Sequence, residues 1–139
     1  MIKRIAFLFF LCFLSLDLFA LFEEITVSGK VIVKDTATGL EWTKEYATNK
    51  TWQQALDYCE TLNYGDYSDW RLPNIEELKT LIDDTIYSPA STFPGMSSNS
   101  FWSSSSYVYF TYSAWLVYFY DGYVYYYSKT DSHYARCVR

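Results

Sequence analysis

Residues 114–128 read AWLVYFYDGYVYYYS, and the fold is decided by how this stretch turns back on itself. Asp121-Gly122 is a preferred pair for a two-residue type I′ turn, whose central positions both need φ > 0, and β-branched and aromatic residues flank it on each side. A two-residue loop sets Tyr120 opposite Tyr123, Phe119 opposite Val124, Tyr118 opposite Tyr125 and Val117 opposite Tyr126. Side chains alternate across a strand. One face therefore carries Trp115, Val117, Phe119, Val124 and Tyr126 and reads as core. The other carries Leu116 with Tyr118, Tyr120, Tyr123, Tyr125 and Tyr127. Those five tyrosines are the candidate ligand-binding residues, because tyrosine offers broad amphipathic contact at small entropic cost. A plainer use competes with that one. Cross-strand tyrosine pairs also stabilise a sheet, and the face could lie under a neighbouring loop.

Working back from the hairpin, residues 83–100 hold Asp83, Asp84, Ser88, Pro89, Pro94, Gly95 and a Ser/Asn cluster, which make a long loop. Two helices precede it. Thr51 with Gln54 forms a capping box, followed by Trp52, Ala55, Leu56, Cys59 and Leu62 at helical spacing. Asn74 with Glu77 repeats the device after Pro73, with Ile75, Leu78, Leu81 and Ile82 as the apolar stripe. Earlier still, residues 25–35 alternate as one opening strand, Asp35 to Gly39 is turn chemistry, and Leu40 to Trp42 resumes extended structure. Residues 101–103 read as a strand. Residues 135–138 read as the last strand, with Cys137 inside it. Strands, two helices, a long loop and strands again describe an α+β domain of the antiparallel kind.

The chain has 139 residues and a net charge of −5. Its start looks like an export signal over residues 1–20. Lys3 and Arg4 give a basic opening, an apolar run follows, and Ala20 stands where cleavage would occur. Asp17 fits that pattern poorly, so an uncleaved anchor stays open, and membrane contact is expected only through it. Residues 21–139 form a single domain. Without Lys3, Arg4 and Asp17, that domain holds 9 basic and 15 acidic residues. Such a balance argues against nucleic acid and anionic membrane surfaces. Cys59 and Cys137 are the only cysteines left, and an even pair in an exported chain reads as a disulfide. Two buried thiols are the alternative. With His133 as the only histidine, a zinc site lacks ligands.

Several further pieces, DTATGLEW (35–42), WQQALDYCETL (52–62), DWRLPNIEEL (69–78), FWSS (101–104), AWLVYFYDG (114–122) and YARCVR (134–139), together resemble the Lcl C-terminal domain family, named for a collagen-like adhesin of Legionella. The resemblance implies a C-type-lectin-like fold, akin to that of formylglycine-generating enzymes, in an exported bacterial protein of the periplasm, the cell surface or the medium. It implies no settled activity. The calcium loops of sugar-binding relatives, Glu-Pro-Asn or Gln-Pro-Asp, have no counterpart in Leu72-Pro73-Asn74. The cysteine pair of formylglycine-generating relatives is missing beside Cys137. The expectation is a non-catalytic module without cofactor or metal, whose partner is a glycan or a protein.

Other residues have two readings each. Asp83 and Asp84 end the second helix where the dipole disfavours negative charge, which fits either a bound cation or a solvated turn. Arg71 lies near Asp69 and Glu77, as a structural ion pair or a ligand contact. Residues 103–106 are four serines with no acid–base set beside them, and His133 sits in a polar turn, so a hydrolase triad has no support. The tryptophans Trp42, Trp52, Trp70, Trp102 and Trp115 sit among apolar neighbours and read as core.

Overall fold

The computed structural model describes residues 21–139; the expected export signal lies outside them. In chain order come β1 (Phe22–Val27), β2 (Lys30–Asp35), β3 (Glu41–Thr43), β4 (Ala47–Lys50), α1 (Trp52–Glu60), α2 (Ile75–Lys79), β5 (Ser100–Ser106), β6 (Ser113–Tyr118), β7 (Tyr123–Ser128) and β8 (His133–Ala135). They build a three-stranded sheet ordered β1-β2-β3 and a five-stranded sheet ordered β4-β8-β5-β6-β7. The α+β class holds. Pairing is antiparallel except between β5 and β8, which run parallel where Phe101 meets Tyr134.

The expected opening strand over residues 25–35 is instead a hairpin. Ser28 and Gly29 both take positive φ (46° and 74°) and fold β1 onto β2 with Val27 opposite Lys30. This is the type I′ geometry, reached with a Ser-Gly pair. The last strand also lies earlier than expected. It ends at Ala135, and Cys137 follows it, next to Val138, which bridges to Trp42 and Arg71 and joins the two sheets.

Both helices begin at the predicted caps. Gln54 N–H donates to Thr51 Oγ1, and Glu77 N–H donates to Asn74 Oδ1 at 2.8 Å, with the reciprocal bonds completing each box. Helix α2 is shorter than its stripe. After Thr80 the chain tightens into i→i+3 bonds (Leu81 N–H to Leu78 O, Ile82 N–H to Lys79 O), which still deliver Leu81 to the core.

Consecutive buried residues show why one sheet needs cover on both faces. Trp102 and Leu116 point into a cluster with Ala55, Cys59 and Trp70, whereas Phe101 and Val117 point into one with Trp42, Leu78 and Phe93. Each fully buried side chain of this size contributes roughly 1.5–3 kcal/mol. Cys59 and Cys137 are disulfide-bonded, tying α1 to the end of the chain across the first cluster. Arg136, 1 % exposed, runs into the second cluster's edge. Its guanidinium donates to the carbonyls of Thr43, Lys44 and Gly95 and lies 4.4 Å from the Phe93 ring; burial pushes its pKa down to about 10.

Candidate functional site

The hairpin at the sheet edge closes through a four-residue loop rather than a two-residue turn. Tyr118 pairs with Tyr123, Val117 with Val124, Leu116 with Tyr125 and Trp115 with Tyr126, so residues 119–122 form the loop. The expected register is thus displaced by two residues. The cause is tertiary: Phe119 is fully buried, its N–H donates to Asn99 O, and its carbonyl accepts from Ala90 N–H at 2.7 Å. Those bonds hold residue 119 to the long loop and away from β7. A slip of two keeps every side chain on its face, since the strand period is two.

The five predicted tyrosines therefore do come together. Tyr118 and Tyr120 stack with centroids 5.8 Å apart, Tyr123 neighbours Tyr125 at 6.4 Å, and Tyr125 neighbours Tyr127 at 6.5 Å. Tyr118, across from Tyr123, joins the two groups into one strip. Tyr120, Tyr123, Tyr125 and Tyr127 are exposed, Tyr123 most at 65 %, while Tyr118 is half-buried. Helix α1 packs over β4, β8 and β5, and among the described residues it has no comparable packing on β7. The face is not all surface, however. Leu116, grouped with the tyrosines by alternation, is fully buried in the first cluster, because β6 lies one strand further in.

The long loop touches only the tip of the strip. Ser88 N–H donates to Tyr120 O at 2.8 Å, and the Tyr87 ring stands 6.5 Å from that of Tyr120. At the other end Tyr127 meets His133, 5.2 Å away. Electrostatically the strip is a row of phenols beside one carboxylate. Desolvation among its neighbours, and then the Asp121 charge, hold the Tyr125 phenol above its usual range.

The opposite face of the hairpin differs from the expected core. Val117 and Phe119 are fully buried, but Trp115 and Val124 are half-exposed and Tyr126 is 44 % exposed. Tyr126 stacks on Tyr107 at 4.1 Å, and both rings stand edge-on to Trp115. Beside Trp115 a cleft of about 350 Å³ opens between α2 and the hairpin, lined by Ile75, Glu76, Lys79, Trp115 and Val124. Sequence reasoning missed this side. One signal was present: β7 reads Tyr-Val-Tyr-Tyr-Tyr-Ser, with tyrosines on both alternations, as suits an edge strand open on two faces.

The remaining candidates resolve into structure. The Asp83 carboxylate accepts from the N–H and hydroxyl of Thr85, which lowers its pKa and makes it a turn. Arg71 pairs with both oxygens of Glu77, and Asp69 pairs with Arg139. Trp42, Trp70 and Trp102 are buried, while Trp52 is half-buried with its indole N–H on Ser103 O. Among the described residues no three His, Cys, Asp or Glu side chains gather as a metal site would require.

The profile of the Lcl C-terminal domain matches residues 31–139. The chain belongs to the Lcl C-terminal domain family. Membership carries the coarse reading of an adhesin-like module at a surface or exported location. In Lcl C-terminal domain terms, the match starts inside β2 and takes in both helices, the disulfide and the whole tyrosine strip. No curated protein matches the chain.

Proposed function

We propose that this Lcl C-terminal domain is an exported, non-catalytic recognition module with a C-type-lectin-like fold, and that it binds a glycan or protein ligand through Tyr118, Tyr120, Tyr123, Tyr125 and Tyr127. One observation carries the reading: five tyrosines stand side by side on the hairpin face turned away from α2, and among the described residues α1 packs on β4, β8 and β5 rather than on β7. Surfaces of that composition bind by stacking and by phenol hydrogen bonds, at little entropic cost. The lectin-like reading of the fold is supported by two helices, a long loop and a terminal hairpin, with the first helix clipped to the C-terminal segment. The non-catalytic reading is supported by Cys137 being bonded to Cys59 and by His133 Nε2 having no hydrogen-bond partner among the described residues.

A second reading is a structural envelope component whose tyrosines pack on a partner. It is favoured by the outer edge of β7, six residues without Pro, Lys or a bulge, since soluble proteins usually blunt such edges.

The oxidised chain, screened on an array of glycans and extracellular-matrix proteins, tests both. Tyr120→Ala/Tyr125→Ala is expected to weaken binding at least about tenfold, the loss of roughly 1.4 kcal/mol of contact, with the fold unchanged by circular dichroism. Absence of binding by the folded wild type, with dimers that bury the tyrosines, would transfer the strip to the structural role.

A further inference from the structure

We infer that the cleft between α2 and the hairpin, on the face opposite the tyrosine strip, is a separate site for the ring of a neutral sugar. The cleft comes from the packing. Ile75 N–H donates to Ser105 Oγ at 3.0 Å and Ser103 Oγ donates to Trp115 O at 2.7 Å, so α2, β5 and β6 are fixed to one another. Helix α2 is too short to reach across to β7, and the gap it leaves is floored by Trp115 and Val124. Its volume of about 350 Å³ falls at the lower end of small-molecule sites, which run from about 300 to 1,000 Å³. That suits a ring or two rather than a folded partner.

Trp115 is the platform. Tyr107 stands edge-on to it at 4.9 Å and Tyr126 at 5.6 Å, and these two rings stack on each other. The indole is thus held in place before any ligand arrives, which removes an ordering cost from binding. A pyranose has a C–H face that lies on such a ring and a rim of hydroxyls that need partners. Glu76 and Lys79, exposed side chains that line the cleft, supply them, one acceptor group and one donor group.

The same two residues choose the ligand's charge. Their ion pair, 2.9 Å long with both side chains solvent-exposed, leaves the cleft with one negative and one positive group. An acidic sugar would gain Lys79 and face Glu76; an amino sugar would do the reverse. A neutral polyol satisfies both without breaking the pair. The tyrosine strip has no such arrangement, and this site stands or falls independently of it.

Titrating the full oxidised chain with the methyl glycosides of glucose, galactose, mannose and N-acetylglucosamine, followed by ¹H–¹⁵N NMR, tests the assignment. At least one probe is expected to shift the amides of Ile75, Glu76, Lys79 and Val124 together with the Trp115 indole N–H. Glu76→Gln/Lys79→Met, on exposed positions that the fold does not need, is expected to weaken that probe about fivefold, as loss of charged hydrogen bonds would. Tyr120→Ala/Tyr125→Ala is expected to change it less than about twofold, because the two faces do not share residues. The inference is overturned if no methyl glycoside moves these resonances. It is equally overturned if glucuronate or glucosamine moves them more than methyl glucoside does, or if the tyrosine variant abolishes the shifts.

Discussion

His133 leaves β8 to lie between the Trp102 ring, 4.6 Å away, and the Tyr127 ring, 5.2 Å away. Its Nε2 is buried with no hydrogen-bond partner among the described residues, and burial lowers its pKa, with the Asp131 charge opposing more weakly. Lys50 stands opposite it in the β4–β8 pairing. The unfolded chain thus takes up a proton on this residue at higher pH than the folded one does. Stability is present above the unfolded value of about 6.5 and is lost as pH falls through the folded value. Urea midpoints are expected to fall from about pH 7.5 to about pH 5.5, and His133→Phe to flatten that dependence. A midpoint that stays level in the wild type would contradict the assignment. Asp69 and Glu77, whose pKa values their arginine partners lower, act at more acid pH and do not enter this window. A sequence names His133 without saying that two aromatic rings enclose it. Arg136 went unnoticed for a related reason: its acceptors are backbone carbonyls of residues 43, 44 and 95, and no side-chain pattern announces them.

At the level of elements, the hairpin loop fixes what the strip can display. Gly122 holds φ at +80°, and a Cβ placed there would lie 3.0 Å from Ile82 Cγ2 and 3.2 Å from Ala90 Cβ. Left-handed backbone and a tight approach coincide, so Gly122→Ala is expected to cost about 1–3 kcal/mol, read by chemical denaturation. A neutral outcome would mean that the long loop gives way. The faces of the hairpin were legible because alternation depends only on local geometry. Its register was not, because Phe119 is drawn from the ladder by Asn99 and Ala90, residues 20 or more positions earlier. The β1–β2 hairpin escaped notice because Ser28-Gly29 is a weaker turn signal than Asp-Gly, whereas the capping boxes of α1 and α2 lie within four residues of sequence and were read correctly.

Across the whole molecule, two apolar clusters share the five-stranded sheet as a common wall, and the disulfide crosses the first of them. Its two ends are 78 residues apart, so chain-entropy reasoning assigns the bond roughly 4.5 kcal/mol. Cys59→Ala/Cys137→Ala is expected to lower Tm by about 15 °C at this domain size, by calorimetry. A drop of only a degree or two would show that the clusters hold the ends together without it. The pairing of the cysteines was legible from their even number and from the expectation of export. The cleft was not, since it exists only where a five-residue helix and an edge strand fail to meet. The bond also affects how the molecule withstands damage. Val108, Tyr109, Phe110 and Tyr112 protrude between β5 and β6, inside the covalent ring closed by Cys59 and Cys137. A chymotrypsin-like protease that clips the chain there releases nothing: both fragments stay linked and migrate as one species until a thiol is added.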